Sequence, residues 1–322
     1  MKKSLLQTIA AANILQAPRS KPEDLYAFAG FNGGNGNGQE AVLSIGDGVK
    51  VVRDPTQGKS QRLSQLISFL KTLPVSKSGK EFPVVFNWKD KYFSKGDCST
   101  PVFCYCKPAY GQGILVPTHD FVTGFAWKLL DAVESSDIPL HEKVGQSIFC
   151  GSSTGDGSRL KFCDWVAKKP QHTAYITNSV QSYGKSTPEE RDKKYKHWKE
   201  FTIDRPISIS DQLKFKYLVN INGNATCWSR FLWQMASNSL CVKIRTNDDY
   251  VEWFYPLLTP DVEYLDATFK SFDRRIEKIT EGEVAYMSAA GRLFIKKFFT
   301  DRNITKDYYN YILTLYRDHC LI

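Results

Sequence analysis

Apolar and polar positions along the chain fall into two alternating periods. Leu63, Leu66, Ile67 and Leu70 stand at i, i+3, i+4 and i+7, which predicts one apolar face of a helix closed by Pro74. The run Phe82-Pro83-Val84-Val85-Phe86 follows, a short buried strand by pattern, ending in Asn87-Trp88-Lys89-Asp90. Ala41 to Ile45 and Val49 to Val52 predict two short strands around the turn Gly46-Asp47-Gly48. The same rhythm returns after residue 145. Ser147 to Cys150 predicts a strand, 151–158 a Gly/Ser loop, and Arg159 to Lys168 a helix. Tyr217 to Ile221, the turn Asn222-Gly223-Asn224, a helix over Trp228 to Ser237 and a strand over Leu240 to Ile244 make a second such unit. Strand, Gly-rich loop and helix in alternation predict an α/β chain with a Rossmann-like, nucleotide-binding half.

The remaining segments are read differently. Ser4 to Ala17 is an amphipathic opening helix, because Gln7, Thr8, Asn13 and Gln16 interrupt the apolar core that a signal peptide needs. Residues 30–38, rich in Gly and Asn, lack the Gly-Lys-Ser/Thr ending of a phosphate loop and read as a mobile surface loop. The polar stretch 170–213, with Lys and aromatics interleaved over 191–199, reads as a solvated helical face. Val284 to Phe299 and Lys306 to Asp318 predict two aromatic-rich closing helices.

Composition narrows the classes. With 322 residues, 42% hydrophobic and 24% charged, the chain is globular and long enough for two domains. No apolar run reaches the length of a transmembrane helix. The net charge of +9 favours anionic partners, but no nucleic-acid motif accompanies it, so nucleic acid is not expected as a partner. Eight cysteines without paired spacing predict reduced thiols rather than a disulfide framework. No Asp-x-Asp pair is present to chelate a divalent ion under a sugar nucleotide, so neither metal nor other cofactor is expected.

A diphosphate is held by backbone N–H groups at helix N-termini, approached through loops without Cβ obstruction, and by an Arg that grips two oxygens. The 151–159 loop and the 222–230 turn with Arg230 both offer this. Each alone is common. Together with their flanks, Lys214 to Asn224, Arg230-Phe231, Ala236 to Leu240 and Glu252 to Leu258, they closely resemble the signature of family-90 glycosyltransferases, which includes protein O-glucosyl- and O-xylosyltransferases and fungal capsule xylosyltransferases. Phe149 to Gly155 with Arg159 resembles that family's donor loop, Val85 to Asp90 its strand before the catalytic carboxylate, and Pro117 to Phe121 a later pocket segment.

The resemblance implies a GT-B fold of two Rossmann-like domains. The first covers residues 1–140 with the C-terminal helices from about 300 to 322, and the second, nucleotide-sugar-binding domain covers 141–299. It implies an inverting, metal-independent transfer of a sugar, xylose before glucose, from a UDP donor to a glycan or glycoprotein hydroxyl. Asp90 would be the general base and Asp120 the runner-up, with His119 and Trp88 near the sugar or acceptor. Gly151, Ser152, Thr154, Arg159, Gly223, Asn224 and Arg230 would hold the diphosphate end of the donor, and Glu252 either the ribose or only its own segment. The aromatics Trp88, Tyr92, Phe93 and Tyr110 would offer an acceptor platform.

Three positions depart from the family pattern. Lys89 replaces an Arg, Ser153 stands where some members have Arg, and one extra residue lies between Gly223 and Arg230. Counting forward from Gly223 would put Ser229, not Arg230, at the phosphate. The alternative to an enzyme is a non-catalytic UDP-sugar or glycan-binding module on the same fold. An N-glycan acceptor site at Asn224, in the donor turn itself, and the unpaired cysteines predict a cytosolic setting.

Overall fold

The computed structural model describes residues 2–15, 17–26, 32–33, 36–37, 40–89, 100–178, 188–246 and 250–321. The chain divides into two compact units, one of 1–125, 250–256 and 301–322, the other of 126–249 and 257–300. Relative to the expected boundary at 140, the helix Phe125–Ser136 goes almost wholly to the second unit, and residues 250–256 go to the first.

The first unit carries a four-stranded sheet in the order Glu40–Arg53, Lys77–Asn87, Val102–Cys104, Ile114–Leu115. The first pair is antiparallel, with Val42 opposite Val85, and the others are parallel. Where two strands around a turn were expected, one continuous strand runs from Glu40 to Arg53, and its register shifts between Ile45 and Asp47. Gly46 serves a bulge there rather than a turn, since a Cβ on it would meet the Lys80 carbonyl oxygen at 2.4 Å.

The helix Gln61–Leu70 begins where the Ser60 hydroxyl accepts the Leu63 N–H at 3.3 Å, and it buries Leu63, Leu66 and Leu70. The C-terminal helix Ile304–His319 lays Tyr308, Tyr309, Ile312, Leu313 and Tyr316 into this core, with Tyr316 edge-on to Phe103 at 5.0 Å. Two of its tyrosines hold the chain ahead of His119. Tyr308 donates to the Leu115 carbonyl at 3.2 Å and Tyr309 to that of Pro117 at 2.8 Å.

The second unit is a five-stranded, all-parallel sheet in the order Leu265–Ala267, Leu240–Ile244, Phe215–Ile221, Val144–Gly151, His172–Ile176. Alternation sends Tyr217, Val219 and Ile221 to one face with Phe149, Leu160 and Phe162, and Leu218 to the other with Ile148, Val133 and Trp233. From Val144–Gly151 the chain winds outward to His172–Ile176, and from Phe215–Ile221 it winds the opposite way. The winding therefore reverses between Gly151 and Ile221, where open α/β sheets bind ligands beyond their carboxyl ends.

The reading of 170–213 as a solvated face is corrected. His172–Ile176 is an edge strand, and Tyr195 and Trp198 are core residues. The strand carries a histidine and a threonine among its apolar positions, which hid its period. His172 is buried because Ser147 Oγ meets its Nδ1 at 2.7 Å and Asp273 its Nε2 at 3.3 Å.

Tyr309→Phe tests the helix that ties down this part of the first unit. Removing the hydroxyl leaves the Pro117 carbonyl without its donor, and denaturant unfolding should show a loss of about 1–2 kcal/mol.

Candidate functional site

Two loops meet at the reversal of the sheet, 151–157 after one strand and 222–228 after its neighbour. Their backbones touch. A Cβ on Gly155, whose φ is +106°, would lie 2.6 Å from the Gly223 carbonyl oxygen, so only glycine fits this crossing. Gly223 in turn lies against Thr154 Oγ1 and the Arg159 guanidinium, each 2.9 Å from where its own Cβ would be.

Arg159 binds the two loops together from beneath. Its Nη1 donates to the Ser152 carbonyl at 3.0 Å and to Thr154 Oγ1 at 2.8 Å. Its Nε and Nη2 reach the Ile221 carbonyl at 3.2 and 3.1 Å, and Nη2 also meets Cys227 Sγ at 3.6 Å. All five N–H groups of the guanidinium thus have acceptors inside the protein. The expected diphosphate contact is corrected accordingly: Arg159 is 5% exposed and its donors are committed to holding the loops. Ser152 and Thr154 share this network, their hydroxyls 3.2 Å apart.

Arg230 is arranged in the opposite sense. Its guanidinium lies over Gly151, where a Cβ would come within 2.6 Å of Nη1. That Nη1 is buried and has no hydrogen-bond partner among the described residues. A buried cationic N–H without an acceptor is costly unless a ligand supplies one. Burial pushes the neighbouring Cys150 thiol up, with the charge of Arg230 acting against it. The helices Ser158–Val166 and Ser229–Ala236 both start at this site; the Ser158 N–H donates to Asp156 Oδ1 at 2.9 Å and the Arg230 N–H to the Cys227 carbonyl at 3.1 Å.

Arg230, not Ser229, lies on the loop; Ser229 is buried in the first turn of its helix. Just before the helix, Trp228 takes φ +50° and ψ −134°. For a bulky side chain this backbone is strained by about 1–3 kcal/mol. Asn224 and Gly223 are half-buried in the same turn.

Other predicted residues fall elsewhere. Asp90, Tyr92 and Phe93 lie outside the described residues. The strand end ahead of Asp90 is firmly held: the Lys89 N–H donates to Asn87 Oδ1 at 3.1 Å, and Asn87 Nδ2 to Glu40 at 3.1 Å. Trp88 is 1% exposed, a core residue rather than a pocket wall, whereas Tyr110 is fully exposed. His119 and Asp120 open the short helix His119–Val122 in the first unit, both half-buried. His119 Nε2 lies 2.7 Å from Gln65 Oε1. Burial and the nearby Arg62 hold the His119 imidazole below its ordinary pKa, with Asp120 opposing. Glu252 is fully enclosed in the first unit beside Trp253, which packs edge-on against Phe121 at 5.7 Å.

Three contributors were not predicted. Tyr195 packs its hydroxyl against Gly157, Cys227 Sγ donates to the Ile221 carbonyl at 2.8 Å, and Trp228 carries the strain. Among the described residues, no three His, Cys, Asp or Glu side chains converge as metal ligands.

Residues 77–320 match glycosyl transferase family 90. The chain belongs to that family. As a family-90 member it is a glycosyltransferase, and its α/β sheets are of the class expected from its sequence. No curated protein matches it.

Among solved structures, the C-terminal domain of a group 1 family glycosyl transferase, LpcC, from Francisella tularensis is similar at 13% identity and TM-score 0.32, over 52% of this chain and 91% of that one. Sucrose-phosphate synthase from Thermosynechococcus elongatus is similar at 10% identity and TM-score 0.38, over 63% of this chain and 50% of that one. HepE from Anabaena, in complex with UDP-glucose, is similar at 10% identity and TM-score 0.38, over 68% of this chain and 59% of that one. The family-90 chain thus spans half to three-fifths of the length of the latter two. Among its described residues no helix is long and apolar enough to cross a membrane.

The two arginines should separate on substitution. Arg159→Lys keeps the charge but loses the fork that reaches both loops, and urea unfolding should show a loss of about 2–4 kcal/mol. Arg230→Ala should unfold within about 1 kcal/mol of the parent, because it removes no internal hydrogen bond of the orphaned Nη1.

Proposed function

We propose that this family-90 chain transfers a sugar from a UDP donor to a hydroxyl of a glycan or glycoprotein acceptor, within a GT-B fold, with inversion and without a metal. The observation that carries the reading is the buried Nη1 of Arg230 over Gly151, without a hydrogen-bond partner among the described residues, at the reversal of a parallel sheet and beside two helix starts. A diphosphate supplies the acceptor oxygens that this group lacks, and helix N-termini favour its charge.

In this reading the second unit holds the leaving diphosphate. The acceptor hydroxyl gives its proton to Asp90 as its oxygen forms a bond to the anomeric carbon, and the bond from that carbon to the β-phosphate oxygen breaks on the opposite face. UDP leaves with charge that Arg230 and the helix starts offset without a metal ion. Asp90 is assigned from its place after the strand Lys77–Asn87 in a family-90 chain. Asp120 beside His119 is the runner-up base.

Xylose is placed before glucose as the donor sugar by likeness to glycan-directed members of the family. The two differ by one hydroxymethyl group, worth about 1–3 kcal/mol of discrimination in a shaped pocket. A cytosolic setting suits a donor turn that carries the N-glycan acceptor Asn224, and cysteines of which Cys104, Cys106, Cys150, Cys163, Cys241 and Cys320 are buried as free thiols.

UDP should raise the melting temperature of the protein, and single-stranded DNA of equal charge should not. Arg230→Ala should weaken UDP binding by about 1.5–3 kcal/mol in calorimetry, the range for a lost charge-assisted hydrogen bond. Asp90→Asn should abolish UDP release from UDP-xylose in the presence of glycan acceptors while UDP binds as before. Unchanged turnover would move the base to Asp120. A protein that binds UDP-sugars but turns over none of a donor panel would be the binding module instead.

A further inference from the structure

A cavity of the second unit adjoins the 151–157 loop, which contributes Asp156 to its wall. Its volume of about 400 Å³ falls in the range of about 300–1,000 Å³ that small-ligand sites occupy. The other walls come from the helix Ser158–Val166, from the end of the helix Pro188–Lys194, and from residues that follow the strands Leu240–Ile244 and Leu265–Ala267. Neither Arg230 nor any residue of the 222–228 turn lines it, so it is a neighbour of the donor site and not a part of it.

Donors and acceptors are interleaved around this cavity. Lys161 Nζ lies over the Phe269 ring at 4.8 Å and Lys194 Nζ over the Tyr195 ring at 5.2 Å, and neither ammonium has a carboxylate partner among the described residues. Asp164 accepts the N–H groups of Lys196 and His197 at 3.2 and 2.7 Å, and Asp156 that of Ser158 at 2.9 Å, so both carboxylates are held in place by backbone and keep their charge. Arg245 pairs with Asp266 at 2.9 Å. Two lysines therefore face two carboxylates, and a phosphate brought here would be repelled about as much as attracted. A neutral polyhydroxylated ligand suits the wall better. A hydroxyl both donates and accepts, so one sugar hydroxyl can bridge an ammonium, which only donates, and a carboxylate, which only accepts.

We propose that this cavity is an acceptor subsite, which holds one neutral sugar residue of the glycan through hydroxyls bridged between Lys161, Lys194, Asp156 and Asp164. The inference rests on the reading of the chain as one that transfers sugar to a glycan, and it adds to the donor loop a second role as a wall of the acceptor's seat.

Methyl glycosides of xylose, glucose, galactose and mannose are titrated into the wild type and Lys161→Met/Lys194→Met by saturation-transfer NMR. Inorganic phosphate is followed by phosphorus line width, and UDP, UDP-xylose and UDP-glucose by calorimetry. Both lysines are exposed, and the double variant should melt close to the wild type. The expected result is binding of at least one glycoside to the wild type, binding about 5-fold weaker or worse in the variant, and unchanged affinities for UDP and the UDP-sugars.

Glycosides that bind neither protein, or both alike, would overturn the inference while UDP binding leaves the donor site standing. Weakening confined to the UDP-sugars would overturn it by making the cavity the seat of the donor's sugar. Phosphate broadening that the variant loses, without glycoside binding, would overturn it by making the cavity an anion site. A wild type that binds a glycoside through these lysines but binds no UDP would overturn the donor site and leave the sugar subsite in place.

Discussion

The buried guanidinium of Arg159 is the interaction on which the second unit's loops depend. Parallel strands end in loops that share no ladder, so nothing in the sheet fixes where 151–157 stands relative to 222–228. Arg159 supplies the missing connection by donating to Ser152 and Thr154 on one side and to Ile221 on the other. The glycines at 155 and 223 then let the two backbones close to contact. Remove either component and the two loops lose their relative placement, because neither belongs to a rigid element of its own.

The folding pattern of this unit was largely legible because its strands are buried on both faces and bounded by glycine turns. Tyr217 to Ile221 and Leu240 to Ile244 read as apolar runs interrupted only by Asn220 and Lys243, and strands of nearly those bounds form. His172–Ile176 was missed for the complementary reason. It is an edge strand whose buried polar group is satisfied from Ser147 and Asp273, partners distant in sequence that no local window contains. The single strand Glu40–Arg53 misled in another way, since glycine marks both turns and bulges, and only the neighbouring Lys80–Glu81 backbone distinguishes the two.

Residue types at the site were legible, but their division of labour was not. Both arginines stood in Gly-rich turns and both looked fit to grip a phosphate. What separates them is the number of carbonyl and hydroxyl oxygens that the fold delivers around each, a property of strand ends brought together at the sheet's reversal. Trp88 and Glu252 show the same limit. A tryptophan after a strand and a carboxylate before two aromatics suit a pocket in sequence, and each is enclosed in the core of the first unit.

A ligand site built this way carries a constraint between rigidity and unmet hydrogen bonding. If every donor at the strand ends were satisfied internally, as those of Arg159 are, the loops would be firmly set but would have nothing left to offer an anion. If all were left open, the cost of several buried unpaired N–H groups would exceed what a marginally stable domain sustains. The chain leaves Arg230 Nη1 open, while Arg159 and two glycines absorb the task of holding shape. The strained Trp228 lies between the last residue tied to Arg159 and the arginine left open.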